Sequence, residues 1–137
     1  MARWLIPTLG YVVLLGALGV TSKLALRSLP WQGLVAVASF AYLLATVAMV
    51  SMGQVQLSGN IDLFWAAVTA VITVSSLVLL YVALGAGEAS KVIPISAAYP
   101  AVTLVLSAMF LGEAFTAGRA HGVLLVIGGV VVLSAVK

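Results

Sequence analysis

Gly87-Glu88-Ala89-Ser90-Lys91-Val92-Ile93-Pro94, running on through Tyr99-Pro100 to Leu111-Gly112-Glu113, is the stretch that decides how the chain folds. It begins as a charged turn of small residues and continues as an apolar helix over about 91–111. Pro94 falls in the first turn of that helix, Pro100 near its middle, and a second Gly-Glu ends it. A proline inside a helix removes one backbone hydrogen bond and clashes with the carbonyl four residues back. In lipid, the freed carbonyl must be satisfied by neighbouring helices, side chains or bound water. A membrane helix broken at Pro94 and Pro100 therefore belongs inside a bundle, beside a cavity, and the rest of the chain reads as the wall around it.

The composition supports a membrane setting. Of 137 residues, 64% are hydrophobic and 7% charged, with a mean hydropathy of +1.31. Ordinary soluble domains are about 25% charged, so the chain is an all-α integral membrane protein. A bilayer-spanning helix needs roughly 20 apolar residues. The chain accommodates five, at about 4–25, 31–52, 63–84, 91–111 and 120–136, as one transmembrane domain over 1–137 with no soluble domain left over. The apolar start, Trp4 to Leu15, lacks a small-residue cleavage motif and reads as a retained first span.

Polar residues recur along four of the spans. The first carries Thr8, Tyr11, Leu15, Gly19 and Ser22 on one face, and Lys23 and Arg27 at its end, where they snorkel to the headgroups. The second has Ser39, Tyr42 and Thr46, and the third Thr69, Thr73 and Ser76. In the fourth, Ser96, Tyr99, Thr103 and Ser107 share about a quarter of the circumference. One account is that these hydroxyls bond to their own helices and the small residues allow close packing. The other is a shared polar interior, to which tyrosines 11, 42 and 99 add long donors. The fifth span differs: Gly118, Gly122 and Gly129 form a face suited to backbone-close packing, in the same chain or another copy.

The charges exclude several classes of function. Asp62, Glu88 and Glu113 all lie at helix ends, so no carboxylate sits at mid-membrane depth as a proton relay or cation site. A neutral or zwitterionic small molecule suits such a lining. With no cysteine, thiolate metal sites and cysteine catalysis are absent. His121 is the sole histidine and reads as a headgroup-level residue. With no Ser-His-Asp set, metal cluster, phosphate loop or basic run, the sequence points to neither an enzyme, a cofactor nor nucleic acid as a partner. Five spans put the termini on opposite sides. Lys23, Arg27, Lys91 and Lys137 face one side and Arg3 and Arg119 the other, a weak positive-inside bias.

Tyr81-Val-Ala-Leu-Gly-Ala-Gly-Glu-Ala-Ser-Lys-Val-Ile-Pro94-Ile resembles the EamA module of the drug/metabolite transporter superfamily. So do Tyr99-Pro100, Phe110-Leu-Gly-Glu113, Gly122-Val-Leu-Leu-Val-Ile-Gly-Gly-Val and Thr21-Ser-Lys23-Leu-Ala-Leu. The resemblance covers essentially the whole chain and is most specific over residues 81–130. Typical members have ten helices in two five-helix repeats of opposite orientation and move metabolites across the membrane. The resemblance thus implies one EamA repeat, in a multi-pass protein of the cell (inner) membrane. An antiparallel homodimer restores the inverted pair most simply, and a parallel dimer or a related partner remains open.

Carried over by position, the family's cavity is lined by Tyr11, Ser76, Ser96, Tyr99 and Thr103. Glu88 and Glu113 read as helix-end structural residues. The function implied is alternating-access transport of a metabolite, amino-acid-like or drug-like molecule. The alternatives are a flippase for lipid-linked sugars or polyprenyl phosphates, with Lys23, Arg27 and Lys91 at the phosphate, and a non-transport subunit of a membrane complex.

Overall fold

A computed structural model describes residues 4–55 and 61–135. Arg3, Lys137 and the polar loop residues Gln56, Ser58, Gly59 and Asn60 lie outside the described residues. Among the described residues, all regular structure is helical: α1 (Leu5–Ala25), α2 (Trp31–Ser51), α3 (Ile61–Ala86), α4 (Ala89–Ser96), α5 (Tyr99–Phe110) and α6 (Ala117–Ala135). Five stretches are long and apolar enough to cross a bilayer, with α4 and α5 together forming the fourth, Ala89–Phe110. Outward-facing side chains such as Leu125, 78% exposed, and Phe110, 74% exposed, require lipid as their solvent. The protein is an all-α membrane protein with five transmembrane spans.

The helices form two compact units, Met1–Ala86 and Gly87–Lys137. In the first, α3 packs against both α1 and α2. Its centre is Leu84, wholly buried, with Tyr81 also buried one turn earlier on α3. Gly19 and Ser22 are the buried positions of α1. Their spacing of three puts them on one helix face, and their small side chains permit close backbone approach. Pro30, extended at φ −67° and ψ 154°, caps the start of α2, where its carbonyl accepts from the amides of Gly33 and Leu34.

At the end of α2 the chain reverses through Gly53 at φ 66°. The Gln54 amide reaches back to the Met49 carbonyl at 3.0 Å and the Gly53 amide to Val50 at 2.9 Å. This pair of bonds satisfies carbonyls left open by the last turn, and it needs the left-handed residue that glycine supplies most readily.

In the second unit, α6 packs against both α4 and α5. Here the sequence reading needs correction. The fourth span is two helices rather than one interrupted helix over 91–111, and it begins at Ala89. Pro94 lies inside α4, past its first turn, and α4 continues to Ser96. The break comes at Ala97 and Ala98, between the prolines, where the Ala98 amide tightens onto the Ile95 carbonyl at 3.1 Å. Pro100 causes it: having no N–H, it offers nothing to the Ser96 carbonyl four residues back, and its ring excludes that carbonyl from a continuing helix. As the second residue of α5, Pro100 sits where its missing donor costs little. The third span is longer than the expected 63–84, and the last begins at Ala117 rather than 120, its expected end at 136 lying outside the described residues.

Candidate functional site

The fourth span presents two features within the second unit. One is the break itself, near the middle of a 22-residue span. Irregular backbone at that depth is tolerated where it is buried in protein or lines a water-filled cavity. The other is an open groove of about 350 Å³ lined by Tyr99, Pro100, Thr103, Leu104 and Ser107 of α5, Glu113 of the following turn, and Arg119 and Val123 of α6. Tyr99, Thr103 and Ser107 recur at intervals of four, as do Pro100 and Leu104, so two adjacent rows of α5 form one wall.

The polar end of this groove is fixed by the turn after α5. Gly112 adopts φ 65°, and the Glu113 amide folds back onto the Ser107 carbonyl at 3.3 Å. Glu113 is thereby held opposite the first turn of α6. Its carboxylate lies 3.6 Å from the Arg119 guanidinium, both side chains being 52% exposed. Arg119 Nη1 also donates to the Ala114 carbonyl at 3.0 Å. Ser107 is buried and donates to the Leu104 carbonyl at 3.2 Å.

Two of the expected cavity residues come together within the second unit. Tyr99 and Thr103 meet in the groove, whereas Ser96 lies on α4 and does not line it. Tyr11 and Ser76 belong to the first unit. All five are exposed. Their hydroxyls are largely satisfied locally: Ser76 donates to Thr73 at 2.9 Å, Ser96 to Ile93 at 2.7 Å, and Thr103 to Tyr99 at 3.3 Å. Thr8, Thr46, Thr69 and Thr73 likewise donate to backbone carbonyls four residues back. Self-satisfied hydroxyls suit a helix against lipid as well as one around water, so the stripes alone do not locate an interior.

Glu88 is the N-cap residue of α4 and pairs with Lys91 at 3.2 Å, while its backbone carbonyl accepts from the amides of Lys91 and Val92. The glycine face of α6 is open: a Cβ built at Gly118, Gly122 or Gly129 meets nothing within 4 Å. His121 Nδ1 lies 2.7 Å from the Ala117 carbonyl. Among the described residues, no group of three or more His, Cys, Asp or Glu is placed to hold a metal ion.

One cluster escaped the sequence reading. Lys23, expected to snorkel outward, instead donates to the Leu84 carbonyl of α3 at 2.7 Å. Ser22 beside it is buried, as is Tyr81 of α3. The available signal was the Gly19, Ser22 face of the first span, whose partner helix was not legible from spacing.

Comparison with known proteins gives this arrangement a context. The sequence model of a family described as the EamA-like transporter family matches residues 2–135. An uncharacterized protein of Methanocaldococcus jannaschii is 43% identical over 72 residues, which is 53% of this chain and 53% of that protein. The matched stretch thus spans about half the length of this relative. No solved structure matches.

Proposed function

The chain belongs to the EamA-like transporter family, and from that membership we propose that it carries a small molecule across the membrane by alternating access, its substrate a metabolite, amino-acid-like or drug-like compound. The observation that carries this reading is the helix break at Ala97 and Ala98, near the middle of the fourth span. Broken helices at the bilayer midplane expose backbone groups and helix ends that bind solutes, and transporters use them for that purpose. Tyr99 and Thr103 stand immediately beyond the break and supply hydroxyls there. Within the fourth span the charged residue is Lys91, near its start and away from the break, which supports a neutral or zwitterionic solute.

These residues supply one five-span repeat. In this proposal the inverted second repeat is another copy of the chain in antiparallel orientation, within the cell membrane, so that each substrate site draws on two α4–α5 breaks. The reading is of a carrier rather than an enzyme.

Purified protein in liposomes, screened against radiolabelled metabolites, tests the proposal directly; a broad screen with neither flux nor binding overturns it. Tyr99→Ala is expected to impair flux while leaving the thermal midpoint nearly unchanged, whereas equal loss of both marks Tyr99 as a packing residue. Because the chain has no cysteine, single cysteines at Gln54 and Ala135 report orientation. Labelling of each site from both sides of the membrane supports the antiparallel pair, and strictly one-sided labelling rules it out.

A further inference from the structure

The groove between α5 and α6 has a polarity profile that the transport reading does not use. Its charged end, Glu113 and Arg119, lies just past the span Ala89–Phe110 and in the first turn of the next, at headgroup level. Its apolar lining, Pro100 and Leu104 of α5 and Val123 of α6, runs beside the hydroxyl row of Tyr99, Thr103 and Ser107 into the hydrocarbon layer. Tyr99 to Ser107 is about 12 Å along the helix axis at 1.5 Å per residue.

The two charges also constrain the ligand. At 3.6 Å the pair is longer than a tight charge-assisted bond of about 2.7–2.9 Å. Both side chains remain half exposed, and both contacts of the Arg119 guanidinium run through Nη1, one of a fork carrying five N–H donors. An anion on Arg119 alone meets Glu113, and a cation on Glu113 alone meets Arg119. A ligand bearing both signs satisfies both. Polar at one end, apolar along the other and open at the side, the groove matches an amphiphile standing upright in the bilayer.

We propose that this groove seats a zwitterionic membrane lipid, with the ammonium of its headgroup on Glu113, its acidic group on Arg119, and part of an acyl chain along Pro100, Leu104 and Val123. The inference holds whether or not the protein moves a solute, since it concerns binding from the bilayer. The volume, near the lower end for ligand pockets, admits one chain segment and leaves the rest of the lipid in the membrane.

The test is native mass spectrometry of the full chain released from nanodiscs of equimolar phosphatidylethanolamine and phosphatidylglycerol. Wild-type protein is expected to retain the zwitterionic lipid by roughly fivefold over the anionic one, the factor of one exposed charge contact. Glu113→Gln shifts retention toward phosphatidylglycerol, whereas Arg119→Gln weakens retention of both lipids and leaves the zwitterionic one preferred, because Glu113 still attracts an ammonium and repels an anion. The exchanged pair, Glu113→Arg with Arg119→Glu, restores the wild-type retention and preference, because a zwitterion binds in either sense. Leu104→Trp reduces retention of both lipids by filling the apolar wall. Equal retention of the two lipids by wild type overturns the proposal, as does failure of the exchanged pair to rescue while its melting curve matches wild type. Displacement of the lipid by free O-phosphoethanolamine, with no acyl chain, assigns the pair to a soluble zwitterion and overturns the lipid assignment.

Discussion

The ammonium of Lys23 in α1 donates to the carbonyl of Leu84 in α3 at 2.7 Å. Leu84 stands in the last turn of α3, where carbonyls have no partner within the helix and carry the negative end of its dipole. A cation from a neighbouring helix satisfies the acceptor and opposes the dipole at once. Because Leu84 is also the fully buried side chain of this unit, polar and apolar fixation coincide at one residue.

Lys23→Met is expected to destabilise the protein by about 1–2 kcal/mol, the scale of a charged hydrogen bond together with a dipole contact. Lys23→Arg, which keeps the charge, retains most of the stability. Thermal unfolding in mild detergent reads the difference, and an unchanged midpoint for Lys23→Met shows that the bond contributes nothing net.

Leu84→Ala leaves a void at a fully buried site and is expected to cost about 2 kcal/mol or more. Leu125→Ala, at a side chain 78% exposed to lipid, is expected to change stability by less than about 0.5 kcal/mol. Comparing the two by the same unfolding assay tests whether the core lies where α1 and α3 meet.

Pro100→Ala restores an amide that can reach the Ser96 carbonyl and so allows α4 and α5 to join. The expected result is a thermal midpoint equal to or above wild type, with about 1 kcal/mol from the added hydrogen bond, and a loss of flux. Pro94→Ala, inside α4 and away from the break, should affect flux less. Equal flux in wild type and Pro100→Ala removes the break from the mechanism.

Gly122→Leu adds bulk where, among the described residues, a Cβ meets nothing within 4 Å. The monomer should fold with an unchanged midpoint, while association between copies, read by crosslinking in liposomes, should fall. A loss of fold without any effect on association contradicts the assignment of this face to another copy.

Span number and class were readable because apolar length is a local property: a stretch of the required length reports its own fate in lipid. The family was readable for a related reason, since the turn residues around Glu88, Pro94 and Glu113 are contiguous in the chain. The break was misplaced because its cause and its effect are separated. Pro100 acts on a carbonyl four residues earlier, so the helix ends at Ser96, upstream of the proline that ends it. Tyr11, Ser76, Ser96, Tyr99 and Thr103 were chosen as hydroxyls on helix faces, yet periodicity gives a face without saying what lies opposite. In the structure Tyr99 and Thr103 line one groove, and Ser96 does not line it.

The sequence by itself determined that this is a five-span EamA-type membrane protein: hydropathy over 20 residues and the proline and glycine positions are written along the chain. Only the tertiary structure decided that Lys23 turns inward to a carbonyl 61 residues away. It alone brought Glu113 against Arg119 at the end of an apolar groove. The first follows from which helices pack together, and the second from how the turn at Gly112 folds back on α5, neither of which residue spacing alone specifies.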